Sequence, residues 1–180
     1  MVANYGAGSI AAYPVRRDGS IGEATAKIQH QGSSIDQRRQ KGPHAHYITP
    51  DPANRFALVC DLGLDKVLVY RMNPAKGTLT PNDPPFGILK PAAGPRHLAF
   101  HPKAPIVYVN NEMNSTMTVF KWDKSRGALE ELQTVSTLSG EVKGNSTAEI
   151  EVHPSGNFVY VSNRGHDSIA CYGIDPKTGR

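Results

Sequence analysis

The residues of this 180-residue chain best suited to chemistry are scattered. They are His44 and His46, the neighbours Arg96 and His97, then Glu112, Glu149 and Arg164. Imidazole, carboxylate and guanidinium groups can together move a proton, stabilise an oxyanion and hold a small anion. No Gly-x-Ser-x-Gly elbow or other nucleophile motif occurs, so attack by water fits better than covalent catalysis by Ser. His44-Ala45-His46 would put two imidazoles on one face of a strand and could hold a metal, but no third ligand is in sight; no metal or other cofactor is expected. His101 and His153 recur in equivalent His-Pro turns and read as structural.

The elements that must position these groups are repeats. Pro52 through Asp61, Pro102 through Asn111 and Pro154 through Asn163 each read as a Pro-marked turn followed by an alternating apolar strand. A polar dipeptide, a turn and a second strand follow, as in Lys66 to Tyr70, Thr116 to Phe120 and Ser168 to Tyr172. A fourth copy opens in mid-unit at Ala3-Asn4-Tyr5. The dipeptides Asn4-Tyr5, Asp61-Leu62, Asn111-Glu112 and Asn163-Arg164 are separated by 57, 50 and 52 residues. A period near fifty with several short strands per unit marks β-propeller blades, antiparallel sheets that must stack to bury their faces. The Asn and Asp members are expected to make Asx-type turns closing the second strand.

The fold expected is therefore all-β, with a partial blade over 1–42, blades over 43–94 and 95–146, and a partial blade over 147–180. Two full and two partial blades make roughly half of a larger ring. Blade faces left uncovered would promote self-association.

In an up-down blade, the start of the first strand lies beside the end of the second, so both gather at one mouth of the channel. There the repeats differ. His46, Arg96 and Ala148 occupy one equivalent position, and Tyr5, Leu62, Glu112 and Arg164 another. Scaffold alone does not require an imidazole, two guanidinia and a carboxylate at equivalent places; a shared polar site does. His44, His97 and Glu149 border it. The polar segments Gly32 to Gly42 and Gly140 to Ser146 do not repeat and would either rim the mouth or do nothing.

Composition adds bounds. With 38% hydrophobic residues, 17 Gly and 14 Pro, the chain can build small cores between many turns. No apolar run approaches the roughly 18 residues of a membrane span, no signal-like N-terminus appears, and a cytoplasmic protein is expected. The net charge of +4 is scattered, suiting a small anion better than nucleic acid. Cys60 and Cys171 read as reduced, buried packing thiols.

The runs Gly42-Pro43-His44-Ala45-His46, Gly94-Pro95-Arg96-His97-Leu98-Ala99-Phe100-His101-Pro102, Asn111-Glu112, Asn145-Ser146-Thr147-Ala148-Glu149-Ile150 and Val161 through Ile169 closely resemble the seven-bladed propeller lactonase family. That family includes a bacterial 6-phosphogluconolactonase and the fungal carboxymuconate lactonizing enzyme. The resemblance covers the whole chain, although family members run to about twice its length. It implies a cofactor-free site of His, Glu and Arg residues at one mouth, matching His46, Arg96, Glu112 and Arg164, with a small anionic lactone as substrate.

On that basis the expected activity is hydrolysis of a sugar lactone, 6-phosphogluconolactone, by direct attack of water. Glu112 or His46 would be the base, Arg96 would stabilise the oxyanion, and Arg164 would hold the phosphate or carboxylate. A carboxylate beside two guanidinia should have a lowered pKa, which favours His46. Reversible lactonization of a muconate and a non-catalytic binding propeller are the rival readings.

Overall fold

A computed structural model describes residues 1–180 as fourteen strands and no helix. Val2–Asn4 (β1), Ser9–Ala12 (β2) and Ala26–Gln29 (β3) form a three-stranded sheet. Ala45–Pro50 (β4), Phe56–Asp61 (β5), Lys66–Asn73 (β6) and Thr78–Ile88 (β7) form a four-stranded one. Pro95–Phe100 (β8), Ile106–Asn111 (β9), Thr116–Asp123 (β10) and Ala128–Ser136 (β11) form the next, and Ser146–Val152 (β12), Phe158–Arg164 (β13) and Ser168–Gly173 (β14) the last. Every pairing is antiparallel and every sheet runs in chain order. This is the all-β, partial-propeller architecture that the repeats require.

The cores lie between sheets rather than within them. Ile10 and Ala12 of β2 pack on Ala57, Val59 and Tyr70; Phe56, Leu58 and Val67 pack on Leu98, Val107 and Phe120; Tyr108 and Val119 pack on Ile150, Val159 and Val161. Strands β5 and β9 are buried along their whole length, because each is covered on both faces by neighbouring sheets. By contrast β14, at the margin of the last sheet, alternates half-buried with exposed residues. Cys60 is buried, and Cys171 occupies on β14 the position that Val69 and Val119 hold, buried, where a further sheet covers the strand. Ile169 shares the Cys171 face and is 70% exposed.

Turn chemistry repeats with the strands. Four residues after each Asn or Asp dipeptide member, Gly8, Asp65, Ser115 and Asp167 adopt φ of +61°, +53°, +53° and +53°, the left-handed bend that turns the second strand into the third. The Asx-turn expectation needs correcting. Only Asp61 accepts from the amide two residues on, that of Gly63 at 3.0 Å. Asn4 and Asn111 donate to hydroxyls on the following strand, and Asn163 reaches Thr137 at the end of the preceding sheet. Their amide NH2 groups, which a carboxylate lacks, find these partners across the sheet and between sheets. The recurrent histidines are turn caps: His101 Nδ1 accepts from the amides of Lys103 and Ala104, and His153 Nδ1 from that of Ser155, as Asp51 does from those of Arg55 and Phe56.

Candidate functional site

Strands β4, β8 and β12 break register at the same place. Ala45 faces Asp61 while Tyr47 faces Cys60; Pro95 faces Asn111 while His97 faces Asn110; Thr147 faces Asn163 while Ile150 faces Val161. The residues squeezed out are His46, Arg96 and the pair Ala148-Glu149. A bulge leaves its extra residue unpaired and re-aims the side chain, a feature common beside active sites. It also means that His44 and His46 do not share a strand face. The Tyr5 ring stacks on His44 at 4.6 Å between centroids and meets His46 edge-on at 5.4 Å. Nowhere do three His, Cys, Asp or Glu side chains gather as a metal site would need.

Asn110 holds the bulges together: its Oδ1 accepts the His97 amide at 3.0 Å, and its Nδ2 donates to Thr147 Oγ1 and the Ala148 carbonyl, each at 3.1 Å. Glu112 follows directly on β9, with its amide bonded to the Gly94 carbonyl at 2.8 Å. Gly94 has φ of +64°, and a Cβ there would lie 2.7 Å from Met113 Cγ, so this approach needs glycine.

Glu112 is the centre of the cluster. Its side chain is 9% exposed; Oε1 accepts from Arg39 Nη2 at 2.7 Å, and Oε2 accepts from Arg96 Nε at 3.0 Å and lies 3.1 Å from Arg164 Nη2. Burial opposes its ionisation, but the Arg39 hydrogen bond and the charges of Arg39, Arg164 and Arg96 outweigh it and hold the carboxyl below its ordinary pKa. Arg96 also donates to the Ala148 carbonyl, and Arg164 to the Thr147 carbonyl at 3.0 Å.

His46 stands beside this cluster, 5.0 Å in centroid distance from His97. Burial first, then the charges of Arg96 and His97, push its pKa down to about 4, so the ring is neutral at pH 7. Its Nδ1 is buried without a hydrogen-bond partner. In the neutral ring one nitrogen carries the proton and the other is an acceptor.

The structure thus brings Arg96, Glu112 and Arg164 into direct contact and sets His46 next to Arg96. His44, His97 and Glu149 surround them without bonding to the Glu112 carboxylate. His44 Nδ1 lies 3.0 Å from the Tyr5 carbonyl oxygen; His97 stacks on Tyr47 at 4.7 Å, and its Nδ1 lies 2.7 Å from Glu149 Oε1. Burial opposes ionisation of Glu149 too, and its bonds to His97 and the Ile150 amide reverse that, leaving its pKa lowered. Hollows of about 570 Å³ along Lys121 to Arg126 and about 640 Å³ beside Ser136 to Asn145 lie elsewhere and are lined by no histidine.

Sequence reasoning missed Arg39. It lies in the Gly32 to Gly42 segment, which has no counterpart in the other repeats, so comparison of blades could not select it. The signal available was local: Asp36 two and three residues before Arg38 and Arg39 can cap a tight turn. Its Oδ1 accepts both amides, at 2.7 and 2.9 Å, and the fully buried Gln40 ties the segment to the Leu62 carbonyl at 2.8 Å.

The chain resembles known proteins along its whole length. The family model for the lactonase 7-bladed β-propeller matches residues 1–180. The 6-phosphogluconolactonase of Bacillus subtilis is 36% identical over 180 residues, 99% of this chain and 50% of that protein. The solved structure of a periplasmic gluconolactonase from Pseudomonas aeruginosa superposes with a TM-score of 0.89 at 33% identity, covering 99% of this chain and 51% of that one. A structure of a protein from Lactobacillus plantarum gives 0.91 at 32%, covering 98% and 50%. The chain spans about half the length of the curated relatives it matches.

Proposed function

Because this chain belongs to the seven-bladed β-propeller lactonase family, we propose that the protein of which these blades form part hydrolyses a sugar lactone, 6-phosphogluconolactone, by direct attack of water at the cluster around Glu112. The observation that carries this reading is the pairing of a neutral, unpartnered His46 with a carboxylate that three guanidinia keep ionised. Both oxygens of Glu112 are engaged by guanidinia, whereas His46 has a ring nitrogen without a partner, and we assign the role of base to His46.

In the step proposed, the oxygen of water bonds to the lactone carbonyl carbon while His46 takes one of its protons. The carbonyl electron pair moves to oxygen, where Arg96, only 17% exposed and fixed by Glu112, stabilises the charge. That developing negative charge also raises the proton affinity of a ring whose pKa is otherwise near 4. Collapse breaks the bond to the ring oxygen, which takes the proton back from His46 as a hydroxyl group and leaves a carboxylic acid. Glu112 acts by holding the guanidinia in place, and Arg164, half-exposed, meets the phosphate. No cofactor enters the scheme.

Turnover of 6-phosphogluconolactone, gluconolactone and a muconolactone by the full-length protein tests the reading. Preferred opening of the phosphorylated lactone is the expected result. Preferred turnover of the muconolactone would replace it with lactonizing chemistry, and turnover of none of the three with a binding scaffold.

A further inference from the structure

Arg39 enters the cluster differently from its companions. Arg96 sits on a bulge that recurs in three sheets and Arg164 at a strand end that recurs in all four, whereas Arg39 comes from the one insertion-like segment that reaches the site. That segment is fastened at three points: Ser34 Oγ to Asp65 Oδ2 at 2.5 Å, Asp36 Oδ1 to the Arg38 and Arg39 amides, and buried Gln40 to Leu62. Its backbone is therefore preorganised, and the guanidinium is aimed rather than trailing in solvent.

The hydrogen bonds of Arg39 also leave it partly unused. Only Nη2 has partners, Glu112 Oε1 at 2.7 Å and Tyr5 Oη at 3.1 Å, and the side chain is 46% exposed. Arg164 shows the same pattern on the other oxygen of Glu112: Nη2 alone is engaged, and the side chain is 50% exposed. Arg96, at 17% exposed, has both Nε and Nη1 engaged. Two half-open guanidinia thus flank one carboxylate, and neither Nε nor Nη1 of either bonds to an acceptor in these four sheets. Three guanidinium charges against the one on Glu112 leave an excess of positive charge, and the nearby Glu149 is turned to His97. A dianion with several acceptor oxygens matches this surplus better than a neutral sugar hydroxyl.

We propose that Arg39 is a specificity-determining residue: with Arg164 it clamps the phosphate monoester of the substrate and sets the preference for a phosphorylated over an unphosphorylated lactone. The inference rests on the lactonase reading above for its substrate, but the clamp itself is a binding claim. Tyr5, stacked on His44 and bonded to Arg39, fixes the arm at the angle the clamp needs.

The test uses two product-like probes, 6-phosphogluconate and gluconate, titrated by calorimetry into the full-length protein and its Arg39→Gln variant, with kcat/KM for the corresponding lactones alongside. The clamp predicts that Arg39→Gln lowers the ratio of affinities, phosphorylated over unphosphorylated, by about tenfold or more, the loss typical of one charge-assisted contact. Arg39→Lys, which keeps the charge but not the fork, should fall between, and melting curves identify a folding failure in either variant. Equal losses for both probes, or no discrimination by the unaltered protein, would overturn the clamp. Lost discrimination in binding without turnover of any lactone by the unaltered protein would retain the clamp and reject the lactonase reading.

Discussion

Replacing Glu112 with Gln keeps the shape of the side chain and removes the charge that three guanidinia share. Removing one partner of a buried ion pair typically costs about 3 to 5 kcal/mol. Here Glu112 is 9% exposed, but Arg39 and Arg164 are 46% and 50% exposed, so water and salt can take up part of the lost interaction. That points to about 2 kcal/mol, which in a full-length protein about twice this chain lowers the melting temperature by roughly 2 to 4 °C. The repulsion left behind is between cations, so an anion should relieve it. Inorganic phosphate at about ten times its dissociation constant should restore roughly 1.4 kcal/mol to the variant, and more chloride should restore less. The assay is differential scanning calorimetry of the full-length protein and its Glu112→Gln variant, each with and without phosphate. A variant melting within 1 °C of the parent, or unaffected by phosphate, would refute the idea that Glu112 neutralises a repelling cationic cluster.

Two further outcomes follow from the structure. Since the folded His46 pKa is about 4 and an unfolded imidazole titrates near 6.5, the unfolded chain binds the extra proton between those values; stability should be full above pH 6.5 and fall as pH drops toward 4, by about 1 to 2 kcal/mol once the incomplete burial of the ring is allowed for. A His46→Gln variant should lose that part of the slope, which melting temperatures at pH 7 and pH 4.5 would reveal. The buried His30–Asp61 pair, 2.6 Å apart and 0% exposed on both sides, offers a control built into the repeat: His30 and Thr137 each donate their amide to a left-handed turn residue, of Gly8 and Ser115, and face Asp61 and Asn163 respectively. His30→Thr alone should destabilise by about 3 kcal/mol by leaving the carboxylate without its imidazole, and His30→Thr with Asp61→Asn should recover most of it, as a double-mutant cycle by denaturant titration would show.

The sequence carried the blade period because the same turns recur, and those turns appear in the structure with nearly the same φ at Gly8, Asp65, Ser115 and Asp167. It carried the placement of His46, Arg96, Glu112 and Arg164 together because departures from the repeat fall where the strands bulge or end. Two things were not legible there. Arg39 has no equivalent residue to differ from. His30 pairs with Asp61 only through the stacking of one sheet on the next, a register that no local pattern encodes.

The proposed reaction requires Arg96 and His46 to act in the chemical step. The most direct measurement is kcat for 6-phosphogluconolactone, followed by product formation at saturating substrate, in the full-length protein and in its Arg96→Ala and His46→Ala variants. Loss of oxyanion stabilisation or of the base predicts a fall of at least about a hundredfold in each, with the fold retained by circular dichroism. Near-parental kcat in both variants would contradict the assignment of the active site to this mouth of the blades.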